Sequence, residues 1–199
     1  MDTVVFDLGG VLVDWNPHHL YRSLIPDEAE RRRFLAEVCP QHWNELQDAG
    51  RSVAEATAER VALFPEHAEL ITAYYGRWEE MLAGAFDETV AILEALHARD
   101  VPLYALTNWS AELFPVARRR FDFLRLFRGI VVSGEEGLIK PDAAIFELLC
   151  RRHGLAPERC AFIDDNPANV AAARALGFTV HGYAGAAGLR AWLGELGLL

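Results

Sequence analysis

The chain of 199 residues is 52% hydrophobic and carries a formal net charge of −10 at neutral pH. Such a length and composition suffice for one substantial hydrophobic core. The negative charge argues against nucleic acid or an anionic membrane as the main partner. No apolar run approaches the ~20 residues of a membrane-spanning helix, and we expect no signal peptide, because the N-terminus has no basic region and starts a strand almost at once.

The cysteines carry no sign of a cross-link or a zinc site. Cys39, Cys150 and Cys160 are odd in number, lie far apart and form no C-x-x-C pair. Their spacing argues against disulfides and zinc and favours a reducing compartment. We therefore expect a cytoplasmic protein, and the sequence leaves its oligomeric state open.

Short apolar segments predict the β-strands of the chain. They are 3–6, 102–106, 129–133, 160–163 and 179–182. These segments are apolar on both faces, which is typical of strands that helices cover on each side. Helical patterns separate them at 88–99, 110–126, 142–153 and 166–176. The alternation predicts an α/β fold, a Rossmann-like doubly wound parallel sheet with right-handed crossovers.

One long stretch does not follow the alternation. Residues 15–84 show helical patterns and no convincing strand. We interpret them as a helical cap subdomain inserted after the first strand. The expected division is a discontinuous core domain, residues 1–14 and 85–199, with the cap between its two parts. Residues 14–17 and 84–86 are the predicted hinges.

Acidic and polar residues follow the predicted strands where each ends. They are Asp7, Thr107, Asn108, Asp164 and Asp165. The carboxyl ends of a doubly wound sheet share one crevice, so the three carboxylates are expected to converge. Like charges that close are costly unless a cation neutralises them, and Mg²⁺ prefers oxygen ligands. Lys140, in the loop after the third predicted strand, adds a fixed positive charge.

This set of groups suits phosphoryl transfer. The cation and Lys140 would offset phosphate charge, while Thr107 and nearby backbone N–H groups hold its oxygens. Asp7, kept ionised by the cation, would attack phosphorus and form an aspartyl-phosphate that water hydrolyses. The predicted substrate is a small phosphorylated metabolite.

Four motifs in chain order resemble those of the haloacid dehalogenase-like hydrolase superfamily, in the branch with a helical cap after the first strand. They are FDLGGVL at 6–12, LTN at 106–108, KPD at 140–142 and FIDDN at 162–166. The resemblance implies that Asp7 is the nucleophile. It also implies a Mg²⁺ ion held by the Asp7 carboxylate, the Gly9 backbone carbonyl and Asp165, with Asp164 assisting directly or through water.

The same resemblance assigns the remaining site residues. Thr107 and Asn108 would bind phosphate, and Lys140 would steady both nucleophile and phosphate. Between the two adjacent acids we favour Asp165 as the direct ligand, because its spacing to Asn169 matches the D-x-x-x-D/N spacing of the family.

Gly9 departs from the pattern of most phosphatases of this superfamily, which carry a general acid/base Asp at that position. General acid–base catalysis is typically worth about 10²–10⁴-fold. We therefore expect either a slow phosphatase or a replacement proton donor, for which Asp14, His18 and His19 are candidates. First motifs of the D-L-G-G/N type resemble a branch that includes sugar-phosphate phosphatases, so sugar phosphates are one expected substrate class.

Two alternatives remain. True 2-haloacid dehalogenases also lack the second Asp; in that case Asp7 would displace halide without metal, and Arg22 would hold the substrate carboxylate. The Asp164–Asp165 pair argues against this, because adjacent acids make little sense there without a cation. The other alternative is a catalytically weak or idle protein that keeps the fold and metal and binds a partner through its cap.

Overall fold

The computed structural model describes all residues, 1–199. It contains seven β-strands. They are β1 Thr3–Phe6, β2 Val13–Trp15, β3 Leu82–Ala85, β4 Leu103–Thr107, β5 Gly129–Val132, β6 Cys160–Asp164 and β7 Thr179–Gly182. Five of them form one sheet in the order β5-β4-β1-β6-β7, and every pair in it is parallel. This confirms the predicted α/β fold.

Eleven α-helices accompany the strands. They are α1 Pro17–Leu24, α2 Glu28–Arg33, α3 Gln41–Asp48, α4 Val53–Leu63, α5 Ala68–Gly76, α6 Asp87–His97, α7 Phe114–Arg120, α8 Ser133–Glu136, α9 Ala143–His153, α10 Pro167–Ala175 and α11 Ala186–Glu195. Shorter helical turns occupy Phe34–Val38, Pro65–His67, Trp78–Met81, Asp122–Leu126 and Pro157–Arg159. None of the helices combines the length and apolar character needed to span a bilayer.

Both faces of the sheet are buried, as the central strand β1 shows. In β1, Val4 and Phe6 pack into a cluster of 37 buried residues that includes α6 and α11 side chains. Val5, which points to the opposite face, packs into a separate cluster of 11 residues with Phe146 and Phe162. Because successive strand residues face opposite sides, both layers of helices are needed to exclude water from the strands.

Local sequence signals account for several helix ends. The Asn16 side chain caps α1 by accepting a hydrogen bond of 2.9 Å from the His18 N–H, and Asn166 caps α10 in the same way through Ala168. Helix α9 ends at Gly154, whose φ of 63° lies in the left-handed region. Side-chain oxygens that cap helix N-termini and glycines at C-termini are the expected signals.

The prediction that residues 15–84 contain no strand is wrong at both ends, because β2 includes Trp15 and β3 covers Leu82–Ala85. Strands β2 and β3 form an antiparallel two-stranded ribbon in which Val13 lies opposite Ala85 and Asp14 opposite Gly84. Segments of three and four residues are too short for their apolar pattern to identify them as strands. The ribbon ties the chain that leaves the sheet to the chain that returns to it.

The prediction of one helix over residues 110–126 is also wrong in its bounds. Helix α7 begins at Phe114, with Pro115 in its first turn, and a separate 3₁₀ turn covers Asp122–Leu126. Proline lacks an N–H and fits only the first turn of a helix, so Pro115 places the helix start after residue 112. The freed residues, 108–113, form the loop that follows β4.

Residues 17–81, called the helical segment below, contain α1 to α5 and lie between the two strands of the ribbon. Side chains of this segment, among them Tyr21, Trp43 and Tyr74, belong to the same buried cluster as Val4 and Phe6 of β1. The division of the chain into a core domain and a cap stays a prediction.

Candidate active site

The parallel register brings the motif residues to one edge of the sheet. Strand β1 pairs with β6 so that Phe6 lies opposite Ile163. Asp7, which follows β1, and Asp164, the last residue of β6, therefore lie side by side at the carboxyl edge. Strand β4, on the other side of β1, ends at Thr107. The carboxyl edge of the sheet thus joins three of the four sequence motifs.

Lys140, from the remaining motif, bridges two of the carboxylates. Its Nζ lies 3.0 Å from Asp7 Oδ1 and 2.6 Å from Asp164 Oδ2. Lys140 is 3% exposed, Asp7 8% and Asp164 0%. A buried charge costs several kcal/mol unless it is paired, so each of these three groups depends on the others to remain charged inside the protein.

Asn108 fixes the backbone that carries Lys140. The Asn108 Nδ2 donates to the Lys140 carbonyl at 3.0 Å, and the Lys140 N–H donates to Asn108 Oδ1 at 2.9 Å. This pair of hydrogen bonds joins the loop after β4 to the loop that carries Lys140. Thr107 differs, because its buried hydroxyl has no hydrogen-bond partner. A buried hydroxyl without a partner is available to a ligand.

The two adjacent acids of the last motif have different surroundings. Asp164 Oδ1 accepts from the Asn166 N–H at 2.8 Å and from Asn169 Nδ2 at 3.0 Å. Its Oδ2 accepts from Lys140 at 2.6 Å and from Asn169 Nδ2 at 3.1 Å. Protein donors therefore already satisfy both oxygens of Asp164, so its carboxylate is held in one orientation.

Asp165, by contrast, is exposed, and no other residue donates a hydrogen bond to its carboxylate. Oxygens of Asp7, Asp164 and Asp165 nevertheless lie within 4.8 Å of one another. Gly10 makes this approach possible: its φ is +75°, and a Cβ there would collide with the Asp165 carboxylate. The second glycine of the first motif is therefore required by the packing of the acidic cluster.

Gly9 leaves open space beside Asp7. Its carbonyl oxygen accepts no backbone hydrogen bond, and a Cβ added at Gly9 would meet nothing within 4 Å. The backbone oxygen is therefore free to bind a ligand. A Cβ at this position would therefore clash with nothing, so packing around the Cβ does not explain why this residue is glycine.

Burial and charge shift the pKa values of the cluster. Burial raises the pKa of Asp7 to about 7, against the opposing effect of the Lys140 ammonium. Burial, and then the Asp164 charge, raises the pKa of Asp165. Burial alone would lower the pKa of Lys140, but Asp7 and Asp164 raise it above its ordinary value. Lys140 therefore stays protonated. A cation bound near Asp7 and Asp165 would lower their pKa values and favour their ionised forms.

A cavity of about 330 Å³ opens over Asp7, between the sheet edge and the helical segment. Its aromatic walls are the indoles of Trp15, Trp78 and Trp109. The buried indole N–H groups of Trp15 and Trp109 have no hydrogen-bond partner. The charged residues of its lining are all acids, namely Asp7, Glu45, Asp48 and Asp165.

Helix α3 supplies the wall that faces the sheet edge. Its lining residues are Gln41, Asn44, Glu45 and Asp48. Spacings of three, four and seven residues place these side chains on one face of the helix. The end of α3 is fixed beside the sheet, because the hydroxyl of Ser133, the first residue after β5, donates to the Asp48 carbonyl at 2.5 Å.

Sequence reasoning missed this helix face. The pattern of polar residues at 41, 44, 45 and 48 is visible in the chain, but on an amphipathic helix it indicates a solvent-exposed side. Only the packing of α3 over the strand ends turns that polar face toward the site. Burial of Asp48 is the feature that separates it from an ordinary surface acid.

The predicted replacement proton donors do not lie in the cavity. Asp14 pairs with His19 at 3.0 Å, and His18 Nδ1 accepts a hydrogen bond from Arg31 at 3.2 Å. None of the three candidates lines the cavity. Arg22, the expected carboxylate binder of a dehalogenase, is exposed on α1 and also lies outside it. Asp14 of the ribbon thus contacts α1.

An α/β sheet with a buried Asp–Lys–Asp triad at its carboxyl edge defines a class of hydrolase, and the comparison with known families identifies it. The family model of haloacid dehalogenase-like hydrolases matches residues 1–177. The chain therefore belongs to the haloacid dehalogenase-like hydrolases, and the predicted family and enzyme class are confirmed.

Curated relatives of the chain include phosphatases. The chain is 25% identical over 184 residues to a sesquiterpene phosphatase of Aspergillus oryzae, a match that covers 87% of this chain and 85% of the relative. It is 27% identical over 198 residues to the phosphoglycolate phosphatase of Escherichia coli, with 87% and 77% of the two chains covered.

Solved structures of the family share the fold. A haloacid dehalogenase-like hydrolase of Porphyromonas gingivalis aligns with a TM-score of 0.73 at 23% identity, covering 97% of this chain and 98% of the other. A family member from Bacteroides thetaiotaomicron, solved as a magnesium complex, aligns with a TM-score of 0.69 at 19% identity, covering 92% and 93%.

Proposed function

We propose that this protein is a Mg²⁺-dependent phosphatase that hydrolyses small phosphate monoesters through an aspartyl-phosphate on Asp7. The observation that carries the proposal is the buried Asp7, paired with Lys140 and close to two further carboxylates at the base of a cavity. The phosphatases among the curated relatives support it.

The residues at the sheet edge fit a magnesium ion. Hard divalent cations take oxygen ligands, and the site offers the Asp7 carboxylate, the unbonded Gly9 carbonyl oxygen and the Asp165 carboxylate. Asp164, whose oxygens are already occupied, would act through water or by position. When bound, the ion would neutralise charge on the acids and on the phosphate. The magnesium complex of the Bacteroides family member supports this assignment.

The chain's own residues account for the two chemical steps. A carboxylate oxygen of Asp7 attacks phosphorus, the ester P–O bond breaks, and the leaving oxygen takes up a proton to depart as an alcohol. Water then attacks the phosphorus of the aspartyl-phosphate, releasing inorganic phosphate and restoring Asp7. Lys140 stabilises the charge on Asp7 and on the phosphate, and the free Thr107 hydroxyl binds a phosphate oxygen.

The cavity favours a leaving group of sugar size. A volume of about 330 Å³ lies at the small end of ligand pockets. Three indoles and the amides of Gln41 and Asn44 offer stacking faces and hydrogen bonds to a hydroxylated ligand. The helical segment would act as a cap that excludes water while Asp7 is phosphorylated.

Removal of Asp165 tests the proposed metal site. We expect Asp165→Ala to abolish Mg²⁺-dependent hydrolysis of p-nitrophenyl phosphate while the thermal unfolding midpoint stays near that of the wild type. The carboxylate is exposed and receives no hydrogen bond from another residue, so its loss leaves the packing intact. Steady-state rates across a Mg²⁺ titration provide the measurement.

Asp142→Ala is the matched control, because Asp142 is an exposed acid of the adjacent motif that lies outside the acidic cluster. It should keep the wild-type Mg²⁺ dependence. Full activity of Asp165→Ala would refute the assignment of the metal site. Release of halide from a 2-haloacid in EDTA would instead identify a dehalogenase, and neither activity would be seen with a protein that only binds a partner.

A further inference from the structure

The proposed reaction needs a proton for the leaving oxygen, and the sheet edge does not offer one. Gly9 has no side chain, and the nearby candidates Asp14, His18 and His19 lie outside the cavity. Asp7 is the proposed nucleophile and Asp165 a proposed metal ligand, so neither is free to donate this proton. Among the titratable residues that line the cavity, Glu45 and Asp48 of α3 therefore remain.

The two acids of α3 differ in burial and in the hydrogen bonds that hold their side chains. Glu45 is exposed, whereas Asp48 is 8% exposed. The Asn44 amide donates to Asp48 Oδ2 at 3.1 Å. Asn44 is oriented in turn by the Tyr75 hydroxyl, which donates to Asn44 Oδ1 at 3.1 Å, and Gln47 Nε2 donates to the same hydroxyl at 2.6 Å. This chain of hydrogen bonds holds one side chain, Asp48, at a defined place in the cavity wall.

We propose that Asp48 is the catalytic acid/base of this enzyme and takes over, from the helical segment, the role that Gly9 cannot fill. The inference rests on the proposed phosphatase function. The Asp48 carboxyl gives its proton to the leaving oxygen as the ester bond breaks. The resulting carboxylate takes a proton from the water that attacks the aspartyl-phosphate, so the two steps together leave Asp48 protonated again.

The electrostatic surroundings support this role. Burial, followed by the charge of Glu45, raises the pKa of Asp48 to about 7, while the Ser110 backbone N–H acts in the opposite direction. The phenols of Tyr74 and Tyr75 on α5 also interact with Asp48, and burial raises their pKa values above the ordinary range, so both stay neutral. Asp7 and Asp165 are the other acids of the same cavity lining. A carboxyl with a pKa near the working pH can both donate and accept a proton.

Two aryl esters whose leaving groups differ in basicity test the proposal. The p-nitrophenolate ion leaves without protonation, whereas phenolate, with a basicity like that of tyrosine, benefits from a proton donor. We expect Asp48→Asn to lower kcat/KM for phenyl phosphate by about 10²-fold and for p-nitrophenyl phosphate by less than about tenfold. The amide keeps an oxygen for the Asn44 hydrogen bond, so the fold is retained.

Glu45→Gln is the comparison variant, since it removes the other acid of the α3 face and keeps Asp48. Its loss of phenyl phosphate hydrolysis should be much smaller than that of Asp48→Asn and should appear only near neutral pH, because the Glu45 charge contributes to the raised pKa of Asp48. Gly9→Asp in the Asp48→Asn background should restore phenyl phosphate hydrolysis, because it places a carboxyl beside Asp7 at a position where an added Cβ meets nothing within 4 Å. Equal losses of both substrates in Asp48→Asn, or no rescue by Gly9→Asp, would overturn the proposal.

A second measurement uses the wild type alone. Its kcat/KM over a series of aryl phosphates should depend weakly on leaving-group basicity if a donor protonates the leaving oxygen, and a steep dependence would overturn the proposal. The proposed function fails separately, namely if the wild type with Mg²⁺ hydrolyses none of these esters.

Discussion

Asp7→Asn is expected to lower phosphate release by on the order of 10⁴–10⁶-fold, the loss typical of a removed nucleophile. An amide is a poor nucleophile and a weak ligand for a divalent cation. The fold should survive, because the amide oxygen of the variant can still accept from the Leu8 N–H, as Asp7 Oδ1 does at 2.7 Å, and from Lys140. Steady-state phosphate release, with mass spectrometry of acid-quenched enzyme for the phosphoryl adduct, provides the measurement.

Asp14→Asn is the control for this experiment, because Asp14 lies close to Asp7 in the sequence but belongs to β2 and pairs with His19 outside the cavity. It should retain activity and should trap the phosphoryl adduct. Turnover by Asp7→Asn at a rate close to that of the wild type would remove Asp7 from the reaction and, with it, the proposed aspartyl-phosphate.

Lys140→Met is expected to reduce both stability and activity. The substitution leaves the buried carboxylates of Asp7 and Asp164 without their shared counter-ion. Removing one partner of a buried ion pair typically costs about 3–5 kcal/mol. Urea unfolding measures the loss of stability. The rate of phosphate release should also fall, because Lys140 no longer stabilises the charge on the phosphate.

The pH dependence of this loss has a defined sign. Burial already raises the pKa of Asp7 to about 7, so the folded state binds a proton more tightly than the unfolded state does. Without Lys140 that preference increases, and the stability of Lys140→Met should fall as the pH rises from 5 to 8. The double variant Asp7→Asn/Lys140→Met, which removes one of the two acids, should recover part of the stability. An unfolding free energy of Lys140→Met equal to that of the wild type at pH 8 would contradict the role of the triad.

The strands of the sheet and the motif residues at its edge are predictable from the amino-acid sequence. The apolar segments at 3–6, 160–163 and 179–182 predict strands within one residue of the observed ends. Local sequence patterns are sufficient to predict these strands, because a buried parallel strand needs a continuous apolar run and a turn must follow it. Asp7 and Asp164 follow from the same signals, because each stands where such a run ends.

Which polar residues share the site depends on long-range packing. The Asp48 carboxyl and the hydroxyl of Tyr75 that orients its neighbour lie far from Asp7 in the chain, and the packing of α3 over the strand ends brings Asp48 into the cavity. Asp14, His18 and His19 are close to Asp7 in sequence, yet the ribbon of β2 and β3 directs them elsewhere. Helical periodicity tells which residues share a face but not what that face contacts, because the contact depends on long-range packing.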